Sequence, residues 1–310
     1  MKKLRISQSL IKEFEKYDQH EQCGLLFDAL YVSRTHRMPP TDAMLMGQWF
    51  EFLCTGDVPR DADRDALGEY FADGMKASGK KNLVAWNGLL KDGEGGEHIP
   101  KDWTTKYVNL YQQAQHFKDT LAAYDIEILA TQHKIELKGK AFDRVMVADV
   151  IARVHAMPDP TTPGSTYEPH VAIIDIKSTG LFNDKWQDYG WDTHTIVHRP
   201  AIITQPLDYM DILRDYKFTF ESKAQQPERF YFFVHSNTNA LDRKIIEVEA
   251  FDLALDRHRA RVQEIHKEIL FLQDIGWVPR PTLQQCNGCP LYGECAHRAE
   301  HPKPNYVSIL

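Results

Sequence analysis

The sequence predicts a mixed α/β protein: a β-sheet core flanked by helices, with a helical N-terminal region before it and a cysteine-rich tail after it. Three observations predict this. Residues 126–250 carry runs rich in β-branched residues, the composition of strands. The segments on either side place apolar residues at helical spacing, the pattern of amphipathic helices. Three of the five cysteines crowd into residues 286–295.

Composition narrows the class. The chain has 310 residues, 37 Lys and Arg against 44 Asp and Glu, and a net charge of −7. With 43% hydrophobic and 26% charged residues, it is neither a disordered chain nor a small disulfide scaffold. Length gives a prior of roughly two domains, or one with insertions. No run approaches the ~18 apolar residues of a membrane span. The basic start, MKKLRISQSLIKEF, is not followed by a signal-peptide apolar stretch, so a cytoplasmic protein is expected,. The negative charge argues against a non-specific DNA coat, but leaves room for an enzyme that meets nucleic acid in a local groove.

Residues 1–125 read as mostly helical. Ser7 or Ser9 caps a helix through SLIKEFEKY,. A second helix covers DAMLMGQWFEFLC from Asp42, and a third covers TTKYVNLYQQAQHFKDTLAAY. The stretch Thr55 to Asp65 is polar and turn-rich, and KDGEGGEHIPKDW (91–103) is the clearest loop,. Residues 126–250 form the core. IEILATQHKIEL, VMVADVIARVHA, HVAIIDIKST (170–179), RFYFFVHS (229–236) and KIIEVEA (244–250) read as strands,. MPDPTTPGSTYE is a hairpin connection, and PAIITQPLDYMDILRDYKF is a helix. The nearly continuous apolar strand at 170–179 is expected to be covered on both faces. Residues 251–310 hold a long amphipathic helix, with an apolar stripe at Leu253, Val262, Ile265, Ile269 and Leu272, and then the tail,.

The chemistry starts at Asp175-Ile176-Lys177. Alternation puts Asp175 and Lys177 on one face of the strand, with Ile176 in the opposite core. A carboxylate that holds a divalent cation, beside an ammonium that orients the attacking water or neutralises phosphate charge, suits phosphate-ester hydrolysis. The three residues alone fit a surface ion pair better. Asp149 changes the balance, because in VADVIARV it is flanked by apolar neighbours, where a carboxylate is costly unless paired or metal-bound,. Antiparallel neighbouring strands would bring it to Asp175, and a Mg²⁺ or Mn²⁺ ion would relieve the repulsion. Asp143 is the competing candidate, and Asp149 is preferred because it sits deeper in the strand. Glu51 lies four residues after Gly47 on one helical face, and the glycine would let that helix approach the sheet. Gln205 and Tyr209, at i and i+4, share a helix face. Pro206 favours a helix that starts there or kinks there.

Cys286, Cys289 and Cys295 form C-x2-C-x5-C. Three thiolates are one short of a four-thiolate zinc or iron–sulfur site. Cys23 can supply the fourth, or His297 can complete a Cys3His zinc site. Cys54 reads as a core thiol. His194 and His198 form an H-x3-H pair read as incidental.

Glu51, Asp149, Asp175-Ile176-Lys177 and Gln205-x3-Tyr209 stand in the order of the PD-(D/E)XK nuclease superfamily, and resemble its RecB-like branch. With Cys23 and the C-x2-C-x5-C tail, the chain resembles the iron–sulfur members: AddB-type helicase–nucleases and CRISPR-associated RecB-like exonucleases. The resemblance implies a restriction-endonuclease-like core and Mg²⁺- or Mn²⁺-dependent cleavage of DNA, most plausibly exonucleolytic on single-stranded or frayed ends. It implies a structural [4Fe-4S] cluster on Cys23, Cys286, Cys289 and Cys295, with zinc as the alternative. It implies metal ligation by Glu51, Asp149, Asp175 and the Ile176 carbonyl, a catalytic Lys177, and Gln205 and Tyr209 as the helix motif behind the active-site strand. Lys185, Arg199 and Lys217 are further candidate groove cations. A helicase, recombination or CRISPR-type protein is the expected partner class besides DNA. The alternatives are a catalytically weak DNA-binding or assembly subunit, and a zinc-stapled nuclease. The chain departs from the family pattern where many cluster-bearing relatives have His in place of Glu51, and where Ala148 replaces the usual glycine. Residues 55–125 match no motif.

Overall fold

The computed structural model describes residues 3–38, 42–57, 105–159, 161–180, 191, 200–216, 218–220, 223–249, 251–281, 285–286 and 288–297. The loop expected at 91–103, the candidates Lys185, Arg199 and Lys217, and the pair His194 and His198 lie outside the described residues. Two compact units are present. One draws on Met1–Pro39, Lys138–Val145 and Asp256–Leu310, the other on Pro40–Leu137 and Met146–Leu255. These units cut across the three sequence segments, because residues from both ends of the chain fold together.

The larger unit is a sheet with helices on it. Strands β2 (Ile126–Lys138), β3 (Asp143–Val154), β4 (His170–Thr179), β7 (Arg229–Ser236) and β8 (Arg243–Val248) all belong to one sheet. Its order runs β3-β4-β7-β8, and β2 also pairs with β3. β3 and β4 are antiparallel, with Val150 opposite Ile174 and Val154 opposite His170. β4 and β7 are parallel, with Asp175 opposite Phe232 and Lys177 opposite Val234. β7 and β8 are antiparallel. The sheet is therefore mixed, as the sequence predicts. The Pro/Gly/Thr connection closes the β3–β4 hairpin, with Pro158 bridged to Thr166.

Alternation sorts the strands onto two cores. Ala172, Ile174, Ile176, Tyr231 and Phe233 pack with Trp49, Phe50, Leu110 and Phe117. These four come from α3 (Asp42–Thr55) and α4 (Thr105–Ala123). Ile173, Phe230, Phe232 and Val234 pack on the other side with Tyr209, Ile212 and Leu213, from α5 (Pro200–Asp215). So β4 is covered on both faces, which is why it reads as an almost unbroken apolar run. The alternation slips once in β3. Met146, Ala148 and Ile151 share one core while Val150, Ala152 and Val154 share the other. An odd step from 148 to 151 on one face requires an extra residue between them, and Asp149 lies there.

Three details depart from the sequence reading. Helix α5 starts six residues before Pro206 and carries that proline inside, at the cost of one backbone hydrogen bond to Ile202. It ends at Asp215, and Phe218–Phe220 (β5) pairs antiparallel with Lys223–Gln225 (β6) instead of extending the helix. Gly47 is not required for space, since a Cβ there would meet Ser178 Oγ at 4.0 Å, an ordinary contact.

In the smaller unit, β1 (Arg5–Ser7) runs parallel to the first residues of β3, Asp143–Val145. The sequence reading missed this strand, whose three residues are too few to show a period. Ser7 caps α1 (Gln8–Asp18), its Oγ accepting from the Leu10 amide at 3.4 Å. Leu10, Ile11, Phe14 and Tyr17 pack with Val262, Ile265 and Ile269 of α6 (Asp252–Ile275). Leu253 does not join that stripe: it is 61% exposed, while Leu255 is buried. A short helix α2 (Gly24–Phe27) leads into one π-helical turn, Asp28–Val32. Among the described residues, no helix is long and apolar enough to cross a membrane.

Candidate active site and cysteine cavity

The larger unit brings together the acidic residues that the sequence scatters. Asp175 is 1% exposed on β4, and its Oδ2 lies 2.6 Å from Lys177 Nζ. Ile176 packs in the opposite core, so the two charged groups share a face as alternation requires. From α5, Gln205 Nε2 donates to Asp175 Oδ1. Tyr209 is buried and its hydroxyl donates to the Val147 carbonyl at 2.9 Å, fastening α5 to β3. At the point where β3 slips, Asp149 Oδ2 accepts the Ile176 amide at 2.9 Å. Glu51, from α3, shares a hydrogen bond with Asp149. Its Oε1 also accepts from Gln132 Nε2.

Crowding shows in the protonation of these groups. Burial, then the charge of Asp175, pushes the Glu51 carboxyl up to about 7, against the pull of Lys177 and the hydrogen bonds from Gln132 and Asp149. Asp149 is pushed well above the usual carboxylate range by burial, then by Asp175 and Glu51. Desolvation pulls Lys177 down, but Asp175, Asp149 and Glu51 together hold it above its ordinary value, so it stays an ammonium. Asp143, the competing candidate, lies instead in the smaller unit, where Lys138 and Lys3 bind it and hold it below the usual range.

Among the described residues, no group of three or more His, Cys, Asp or Glu side chains is already arranged as a metal-binding set. Lys177, Gln205, the Ile176 amide and Gln132 take up carboxylate oxygens of Asp175, Asp149 and Glu51. The donor set still fits a hard divalent cation. It consists of carboxylate oxygens whose mutual repulsion a cation would relieve.

The sequence reading missed Gln132. It has a positive φ of 47° in the middle of β2, a backbone state uncommon for residues other than Gly, Asn and Asp. Nothing in the run IEILATQHKIEL marks that position.

The smaller unit gathers the cysteines. Cys23, Cys286, Cys289, Cys295 and His297 line one pocket with Leu25, Leu26 and Leu291. The tail turns tightly: the Cys289 amide donates to Cys286 O at 3.1 Å and the Cys295 amide to Leu291 O at 2.8 Å. Cys23 accepts the Arg280 amide on its sulfur at 3.4 Å. Burial raises the Cys289 thiol, against a hydrogen bond from the Leu291 backbone, and the neighbouring Cys286, Cys23 and Cys295 sulfurs add to the rise. None of the five cysteines is in a disulfide. Cys54 is away from this group, buried in the larger unit's core. The four thiols fit a soft metal or a cluster by donor chemistry. Next to Cys23, Gly24 has no room for a side chain: a Cβ would come within 2.7 Å of Val278 O and 2.8 Å of the Tyr17 ring.

No protein-family model matches the chain, and no curated protein matches it. Among solved structures, the chain is similar to the crystal structure of a "Putative exonuclease" from Eubacterium rectale, with a TM-score of 0.51 and 15% identity. That match covers 97% of this chain and 91% of the other. SSO0001 aligns over 93% of this chain and 97% of its own at 13% identity, but its TM-score of 0.28 carries no argument. The chain thus has a mixed α/β fold, with a central mixed sheet flanked by helices, consistent with the restriction-endonuclease-like class.

Proposed function

We propose that this protein is a metal-dependent DNA nuclease of the RecB-like kind, an exonuclease acting on single-stranded or frayed ends in the cytoplasm. One observation carries the proposal: Glu51, Asp149, Asp175 and Lys177, spread over 127 positions of sequence, meet where β3, β4 and α3 come together. The shared fold with the Eubacterium rectale structure, and the exonuclease naming it carries, supports the same reading.

The residues divide the work as follows. Glu51, Asp149, Asp175 and the Ile176 carbonyl would hold Mg²⁺ or Mn²⁺, which when bound supplies Lewis-acid polarisation of a phosphodiester and a more acidic water. Lys177 stays protonated beside Asp175 and stabilises negative charge on the phosphoryl oxygens,. Gln205 holds Asp175 from the helix side. Tyr209 fixes the distance between α5 and β3 through Val147, which makes it a positioning residue. In the smaller unit, Cys23, Cys286, Cys289 and Cys295 would hold a structural [4Fe-4S] cluster that joins the N-terminal segment to the tail. Zinc is the alternative occupant, and the presence of His297 in the same pocket is the observation that favours it,. DNA is the substrate, and a helicase or recombination protein the partner class.

The test compares wild type with Lys177→Ala and Asp175→Ala on end-labelled single-stranded and duplex DNA with Mn²⁺. Both variants are expected to lose at least about a hundredfold in rate, the scale of removing one transition-state charge contact, while keeping the wild-type circular dichroism. Wild-type rates in both variants would refute the assignment.

A further inference from the structure

We propose that Gln132 is a positioning residue for the candidate metal site, held in a strained backbone state so that its amide orients the Glu51 carboxylate; this rests on the nuclease reading above. Gln132 occupies the left-handed region, φ 47°, inside a strand of 13 residues. A side chain with a Cβ pays for that conformation, at a general scale of 1–3 kcal/mol for a strained residue. The consecutive residues Leu129 and Ala130 both pack against the core that takes Ile135 and Leu137, so strict alternation is already broken beside this position. A left-handed residue within a strand is a feature of one class of β-bulge, and bulges re-aim side chains,.

What the bulge aims at is the end of α3. Gln132 Nε2 donates to Glu51 Oε1, and the preceding Thr131 Oγ1 donates to Asp57 Oδ2. Two consecutive residues of β2 therefore grip Glu51 near the C-terminal end of α3 and Asp57, two residues past that end. Glu51 otherwise extends from a helix, on a flexible side chain. The charge of Asp175 repels it, while Asp149 shares a hydrogen bond with it. The amide donor fixes one Glu51 oxygen and so sets the direction in which the carboxylate would meet a cation. Supporting groups of this kind are generally worth about 10- to 100-fold in metal affinity.

The experiment measures Mn²⁺ binding by electron paramagnetic resonance on the full-length protein, without DNA, for wild type, Glu51→Ala, Gln132→Gly and Gln132→Asn, with urea unfolding of each in parallel. Glycine accepts the left-handed backbone without a Cβ, and asparagine tolerates it with an amide one carbon shorter. Both Gln132 variants are expected to be at least as stable as wild type and to bind Mn²⁺ about tenfold more weakly. A purely structural role would lower stability and leave affinity alone. Wild-type affinity in Gln132→Gly, while Glu51→Ala loses binding, overturns the inference and leaves the nuclease reading standing. Lower stability in both Gln132 variants also overturns it. If wild type and Glu51→Ala bind Mn²⁺ equally, or neither binds, the metal site itself is refuted and the inference with it.

Discussion

His235 gives a quantitative prediction from the core beside the site. It lies on β7 opposite Ser178, and is 2% exposed. Its Nδ1 is 2.9 Å from Gln113 Oε1. Gln113 Nε2 donates to the carbonyls of Asn239 and Asp242 at 3.0 and 2.7 Å. That fixes the amide, so Oε1 is the acceptor and Nδ1 of His235 carries the proton. Phe50 and Phe117 face the ring at 5.1 and 6.2 Å, surroundings that offer nothing to a second proton. Burial first, then the charges of Arg243 and His116, push the imidazole down from 6.5 to about 3. The folded state thus binds a proton less readily than the unfolded chain. The stabilisation is complete above the unfolded value and is lost as pH falls from 6.5 toward 3. Each pH unit in that window removes about 1.4 kcal/mol, so going from about pH 7.5 to about pH 4.5 removes roughly 2–3 kcal/mol. That is a large share of a typical folding stability of about 5–15 kcal/mol. Urea unfolding of wild type and His235→Gln at both pH values is the assay. The variant is expected to lose less stability on acidification by that amount, whatever its baseline. Equal losses in the two proteins, or the ring-proton resonance of His235 itself titrating at its ordinary value in the folded protein, would refute the reasoning.

Three further outcomes are expected. Gly47→Ala should raise stability by about 0.5–1 kcal/mol in urea unfolding, since alanine is the better helix interior residue and its Cβ meets only an ordinary contact with Ser178. Gly24→Ala should cost about 1–3 kcal/mol, the scale of overpacking, because the Cβ would overlap Val278 O, and the same melt should show the loss. Cys289→Ser, purified without oxygen, should lose the bound iron measured by elemental analysis, or zinc if that is the occupant, whereas Cys54→Ser should keep wild-type metal content; the reverse pattern would move the ligand set to the core thiol.

The sequence by itself determined the strand-rich core, the helices around it and the mixed class, because period and β-branched composition are local properties of the chain. HVAIIDIKST reads as a doubly covered strand for the same reason that β4 is one: every residue from His170 to Ile176 is buried. The sequence also ranked Asp149 above Asp143 because it sits deeper in its strand, and the structure puts Asp149 beside Asp175 and Asp143 among lysines. Other features were settled only by tertiary structure. The slip at Asp149 and the left-handed Gln132 exist because strands must pair in register while their side chains serve a common site, and no local preference of either residue announces that. Gly47 was read as a steric need, but helix-to-sheet distance is set by all the side chains between them. The joining of Cys23 to a tail more than 260 residues later is a long-range contact, fixed by how α1 and α6 pack and not by any spacing along the chain.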